Sequence, residues 1–267
     1  SPPYQLWARS ASELVTVGGN VASSEYHAHF FAPLAIDSDR NARDISGALS
    51  DGAFQTNLSA ATAWATANFL TQPNPTVASE LSLVEFPAIS WDWASGDSIF
   101  VFWVGRGTPE AGDVGVMGES YHFSDGNGLR LICTSTGKLK ASVYQTSGSV
   151  SVFGPTSTET VFEASVTHSF AVCVRPHGSG GSGGGMAFWI DGARGSGHAS
   201  GFLMPSGGPC TTTTANTWKL GGDGQTVGSV QNGIALQTKA LAILKGRRGN
   251  PPAIADMDAL VAALHRN

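Results

Sequence analysis

Trp91-Asp-Trp93 is the first place in this sequence to look for chemistry. Side chains two residues apart on a strand share a face, so Trp91 and Trp93 would stand together with Asp92 opposite. Exposed indoles beside polar groups form a platform for a sugar ring, which makes these two the candidate glycan-binding residues. The competing use of the pair is to plug the edge of a sandwich, because an indole is a large apolar body. A second candidate is Asp125-Gly-Asn-Gly128, where Asp125 and Asn127 offer calcium hard oxygen ligands in a tight turn. The same residues also spell a hairpin turn, since Gly and Asn tolerate positive φ. Asp37, Asp39 and Asp44 crowd another loop. His27 and His29 would project from one strand face, but a metal needs a third ligand, which only folding could bring, from His122 or Asp125.

Catalytic arrays are harder to find. Glycoside hydrolysis needs two carboxylates about 5–9 Å apart across the sugar bond. On a strand that pair is written with alternate acids, as Glu-x-Asp-x-Glu, and no such pattern occurs. Glu159 and Glu163 would share a face of a regular strand, with no Asp between them, and read better as solvated strand residues. Gly180-Gly-Ser-Gly-Gly184 matches a nucleophile-elbow pattern only as part of a low-complexity loop, without the strand and helix that the mechanism requires. Gly96-Asp-Ser-Ile99 has the letters of an esterase motif without its α/β surroundings.

The elements that must position these residues are strands. Only 13% of the 267 residues are charged and 34 are glycine, a composition of β-structure with many turns. The net charge of −5, with no basic run beyond Lys245-Gly-Arg-Arg248, argues against a nucleic-acid groove. No apolar run is long enough to span a membrane. Ser1-Pro-Pro-Tyr-Gln is neither basic nor followed by an apolar core, so no signal peptide is expected. Cys133, Cys173 and Cys210 are odd in number and lack metal spacing; Cys133 and Cys173 read as small buried hydrophobes on strands.

Residues 13–17 and 26–31 read as short strands and 59–70 as an Ala-rich helix ended by Pro73 and Pro75. Ser98-Ile-Phe-Val-Phe-Trp-Val104 is apolar at every other position on both sides, as a strand covered on both faces should be. Strands are predicted over 113–118, 128–134, 139–144 and 160–164, with one or two closing strands within 229–244. Val166, His168, Phe170, Val172 and Val174 alternate on one side of another. A Gly/Ser-rich loop then turns the chain into Met186-Ala-Phe-Trp-Ile-Asp-Gly192, which ends in a strong turn signal. Asn250-Pro-Pro opens a helix over 251–266 whose apolar face is Ile254, Met257, Leu260, Val261 and Leu264.

This order resembles the laminin-G/concanavalin A-like lectin superfamily, in which a strand, a W/Y-I/V-D-G strand and an L-x-I-G-G strand follow one another. Here the last is Trp218-Lys-Leu-Gly-Gly222, and residues 39–47 look like a degenerate form of an early D-x-S-G-N-G loop. The resemblance spans roughly residues 35–265 through short, tolerant motifs. It implies an all-β, concanavalin A-like jelly-roll β-sandwich with a short C-terminal helix; no cofactor is expected, calcium being the one that the resemblance leaves room for. The expected organisation is an N-terminal arm and first strand over 1–20, then one domain over 21–267.

Fold and function are loosely tied, so the resemblance names no activity. Jelly rolls of this kind recur in bacteriophage particles. The first expectation is therefore a non-enzymatic structural component of a virion (tail, fibre or capsid-decorating), docking on other virion proteins or on copies of itself. Tyr4 and Trp7 would anchor its arm. The alternative is a lectin-like domain, secreted or on a surface, that recognises host glycans. A glycoside hydrolase stands third.

Overall fold

The computed structural model describes residues 53–56, 69–72, 82–89, 91–92, 97–118, 128–145, 150–175, 185–195, 213–214, 217–222, 233–246 and 254–266. They form two main antiparallel sheets. The larger has seven strands in the order β1 (Ala53–Thr56), β3 (Ser82–Phe86), β14 (Trp218–Leu220), β6 (Val114–Gly118), β7 (Gly128–Cys133), β8 (Lys138–Gln145) and β9 (Val150–Thr160). The other has six, in the order β12 (Ala193–Arg194), β11 (Gly185–Ile190), β10 (His168–Arg175), β5 (Ser98–Thr108), β15 (Ala235–Gly246) and β2 (Leu70–Gln72). A short ribbon pairs β4 (Trp91–Asp92) with β13 (Thr213–Thr214), and a helix, α1 (Ile254–Arg266), follows the last strand. This is the all-β, concanavalin A-like jelly-roll sandwich with a short C-terminal helix that the sequence predicts.

Alternation along the strands builds the core. Val101 and Trp103 of β5, Phe170 and Val172 of β10, and Phe188 of β11 turn inward to meet Val84, Leu131 and Leu220 of the seven-stranded sheet. Trp103 is fully buried; its indole N–H donates to Thr238 Oγ1 at 2.9 Å, and its ring stacks on Phe170 at 5.2 Å. The intervening residues Phe100, Phe102, Cys173, Ala187 and Trp189 lie on the outer face of the six-stranded sheet and are buried as well. The doubly apolar pattern of β5 therefore means what it predicts, a strand covered on both sides.

Helix α1 buries Met257, Leu260 and Val261 and closes on the β10–β12 end of the sheet. The buried Trp189 indole donates to Asp258 Oδ1 at 2.7 Å, and the Arg194 guanidinium pairs with the same carboxylate. The hairpin between β11 and β12 turns on Asp191 and Gly192, both with positive φ (48° and 82°), the two-residue turn that this dipeptide predicts.

Three predicted elements are placed differently. β9 ends at Thr160, so 160–164 is not a strand: Val161 and Phe162 donate their N–H groups to the Gly137 carbonyl at 2.8 and 2.9 Å, folding that segment over the β7–β8 turn. Val166 is 42% exposed and precedes β10, so it does not share the inward face of Phe170. Leu70 begins strand β2 and not a helix end, while most of 59–70 lies outside the described residues. The predicted strands at 13–17 and 26–31 and the boundary near residue 20 also lie outside them.

Candidate functional site

The outer face of the six-stranded sheet changes character along its length. Toward helix α1 it is apolar and covered. At the other end, cross-strand register sets Thr71 of β2 opposite Gln237 of β15, and Gln237 opposite Arg106 of β5. Directly paired residues project to the same side, so these three side chains form a polar row across three strands. Arg106 extends the row to Thr167, whose hydroxyl accepts from the guanidinium Nε at 2.9 Å. Each member is half-buried.

Backbone geometry places this row. Gly105, inside β5, would drive a Cβ into the Gln237 carbonyl and the Trp103 indole, so glycine here lets β5 and β15 come together around that tryptophan. The register of β15 then slips between Thr238 and Ala240, a bulge that leaves Lys239 as the extra residue. Bulges re-aim side chains, and this one brings the Lys239 ammonium to 5.1 Å from the Phe69 ring centroid. The Arg106 guanidinium lies over the same ring, also at 5.1 Å.

Between these strands opens a cleft of about 160 Å³, bounded by Thr71, Gln72, Arg106, Thr108, Ala164 and Gln237 with their neighbouring backbone. Its accessible polar groups are those of Thr108, Gln237 and Arg106, while the Gln72 amide turns inward to Leu220; no carboxylate is among its lining residues. The Thr71 hydroxyl is buried and has no hydrogen-bond partner among the described residues. The sites where the chain could recognise a small polar molecule thus come from three segments far apart in sequence.

A second polar cluster lies at the β10–β12 end. His168 sits between two carboxylates, with Nδ1 at 2.8 Å from Asp191 Oδ2 and Nε2 at 3.5 Å from Glu163 Oε1. Asp191 Oδ1 accepts the Ser169 N–H at 2.9 Å, and Ser169 Oγ bonds His265 Nδ1 of helix α1 at 2.8 Å. Ser169 is only 2% exposed, so its hydroxyl ties the helix to the sheet and is not presented as a nucleophile. The Cys133 thiol is pushed up to about 12 by burial, with smaller contributions from Asp113 and Glu110. A thiol held protonated in this way is a packing group.

Most of the residues singled out from the sequence lie outside the described residues. Trp91 stands in β4, its backbone paired with Thr214, while Trp93 lies outside the described residues. So do Asp125 and Asn127, Tyr4 and Trp7, and His27 and His29. Glu159 and Glu163 do not share a strand face, because β9 ends between them and Glu163 turns to His168. Ser98 of the esterase-like motif is buried at the start of β5. Among the described residues, no group of three or more His, Cys, Asp or Glu side chains could hold a metal ion. No helix there is long and apolar enough to cross a membrane. Arg106, Gln237 and Thr71 were missed by motif reasoning. The available signal was an arginine flanked by two glycines directly after the apolar run of β5.

No protein-family model matches this chain, and no curated protein matches it either. Solved structures do. The Trypanosoma rangeli sialidase in complex with the inhibitor DANA aligns with a TM-score of 0.54 at 11% identity, over 92% of this chain and 33% of that one. The same sialidase in complex with sialic acid aligns at 0.49 and 10% identity, over 99% and 38%. The CBM40 of Ruminococcus gnavus IT-sialidase, bound to α2,3-sialyllactose, aligns at 0.44 and 12% identity, over 66% and 93%. The first of these likenesses is one of fold, and this chain spans about a third of that sialidase's length.

Proposed function

We propose that this chain is a non-catalytic, carbohydrate-binding β-sandwich module whose site is the cleft between β2, β15 and β5. The observation that carries the reading is the cleft's lining: the Thr108 hydroxyl, the Gln237 amide and the Arg106 guanidinium converge there from β5 and β15 against edge strand β2, with the Phe69 ring under the guanidinium. Sugars are recognised by such sets, because each hydroxyl both donates and accepts and side-chain amides answer in both roles. The cleft is smaller than the roughly 300–1,000 Å³ of pockets for drug-sized ligands, so it fits one terminal sugar residue and not an enclosed chain.

Placing these groups on strands favours binding, since rigid elements hold a recognition set more sharply than loops do. The non-catalytic part of the reading draws on the acids: Glu159 and Glu163, the pair considered from the sequence, are separated by the end of β9, neither lines the cleft, and the Glu163 carboxylate turns to His168. Docking within a virion, the first expectation from the sequence, would use the arm bearing Tyr4 and Trp7 and can coexist with glycan recognition. The glycan reading is preferred because polar groups of two neighbouring strands converge on one cleft.

A glycan array probed with the full chain tests it. A discrete set of binders is expected, weakened about tenfold or more by Gln237→Ala, as loss of a buried-ligand hydrogen bond requires. An array without binders would overturn the reading, as would binding indifferent to Gln237→Ala and to Thr108→Val.

A further inference from the structure

Building on the carbohydrate-binding reading, we infer that the cleft takes a saccharide bearing a carboxylate, and that Arg106 is the residue that reads that group. The guanidinium is already half-ordered. Its Nε is committed to Thr167 Oγ1, its Cζ lies over the Phe69 ring at 5.1 Å from the centroid, and its two terminal nitrogens carry no hydrogen bond to any described residue. Those two nitrogens form the fork that a carboxylate meets with two parallel bonds. Because Nε and the ring already fix the side chain, binding an anion costs less rotamer freedom than it would at a free arginine.

Charge points the same way. The whole chain carries −5, yet the lining of this cleft contains one guanidinium and no carboxylate. The bulge at Lys239 adds a second cation over the same phenyl ring. A neutral sugar needs neither charge. The Arg194 guanidinium, closed on Asp258, shows the contrasting arrangement in the same molecule, a fork already occupied by a carboxylate. Gln237, directly opposite Arg106 on the neighbouring strand, is half-exposed on the same side and offers its amide to a hydroxyl of the same ring. An acid group and a hydroxylated ring would thus be read by adjacent members of one cross-strand row.

The experiment compares each acid with its own ester on the unaltered protein. Saturation-transfer NMR and calorimetry would be run with D-glucuronate, D-galacturonate and sialic acid, each beside its methyl ester, with D-glucose and acetate as further probes. At least one acid should bind about tenfold or more tighter than its ester, the effect of losing a charge-assisted fork. Arg106→Gln should erase that preference, and Arg106→Lys, which keeps the charge and loses the fork, should restore part of it. Because the ester comparison needs no variant, a poorly folding Arg106→Gln would not shield the inference.

Equal binding of acids, esters and D-glucose, still sensitive to Gln237→Ala, would overturn the carboxylate inference and leave the carbohydrate reading standing. Acetate binding as tightly as any sugar acid would overturn both, marking a simple anion site. An acid preference that survives both Arg106 variants would overturn the assignment to this residue.

Discussion

Single residues in this chain do their work through what their strand neighbours allow. Asp191 and Gly192 were legible as a turn because the dipeptide is a local signal, and their φ values of 48° and 82° match it. Arg106 was not, because an arginine acquires a role only from what folding brings beside it: Thr167, Phe69 and Gln237, none of them a sequence neighbour. Cys133 shows the opposite case, a residue whose apolar strand already announced burial. Its thiol is raised from the ordinary 9.0 to about 12, chiefly by that burial. The unfolded chain therefore releases this proton near 9.0 and the folded chain only near 12, so the unfolded state binds fewer protons in that window. The contribution is fully present below 9.0 and is lost as pH rises toward about 12. Urea midpoints should fall over this range, and Cys133→Ala should flatten that part of the curve. A variant whose alkaline decline equals that of the parent would show that another group is responsible.

Elements were more legible than sites, and for a physical reason. Strands carry their pattern in consecutive residues, so the alternation of β10 and the unbroken apolar run of β5 are found wherever their partners are. The segment 160–164 has a similar pattern but is drawn to the Gly137 carbonyl by tertiary hydrogen bonds, which no local rule can register. Helix α1 was predicted from its apolar face, yet what attaches it is a polar contact: the buried Trp189 N–H donates to Asp258, which also receives Arg194. Truncating Asp258 would leave the indole N–H buried without its acceptor, at a cost of about 1–3 kcal/mol. Removing Arg194 breaks a part-exposed ion pair, worth about 0–1 kcal/mol. Asp258→Ala should therefore lower stability to urea more than Arg194→Ala, with Asp258→Asn between them because an amide oxygen still accepts. The reverse order would place helix docking in the ion pair and not in the buried indole.

At the scale of the whole molecule, the order of strands in the sheets was hidden from the sequence. β14 lies between β3 and β6, and β2 edges the sheet that β15 extends, so neighbours in space are far apart along the chain. One side chain crosses the space between the sheets with a polar contact. Gln72, 1% exposed on β2, donates Nε2 to the carbonyl of Leu220 on β14 at 2.8 Å, across 148 residues of sequence. An apolar replacement, Gln72→Leu, would leave that carbonyl facing hydrocarbon and cost about 1–3 kcal/mol. Gln72→Glu is the sharper test, because an ionised carboxylate at this depth would be desolvated and would point an acceptor at an acceptor. Its folded pKa must then lie above the unfolded value of about 4.3, since burial favours the neutral acid. The protonated acid can donate to Leu220 as the amide does. Gln72→Glu should therefore approach the parent's stability below about pH 4.3 and lose it progressively as pH rises, whereas Gln72→Leu should differ from the parent by a constant amount. Urea unfolding at a series of pH values separates the two, and parallel curves would mean that this amide does not join the sheets.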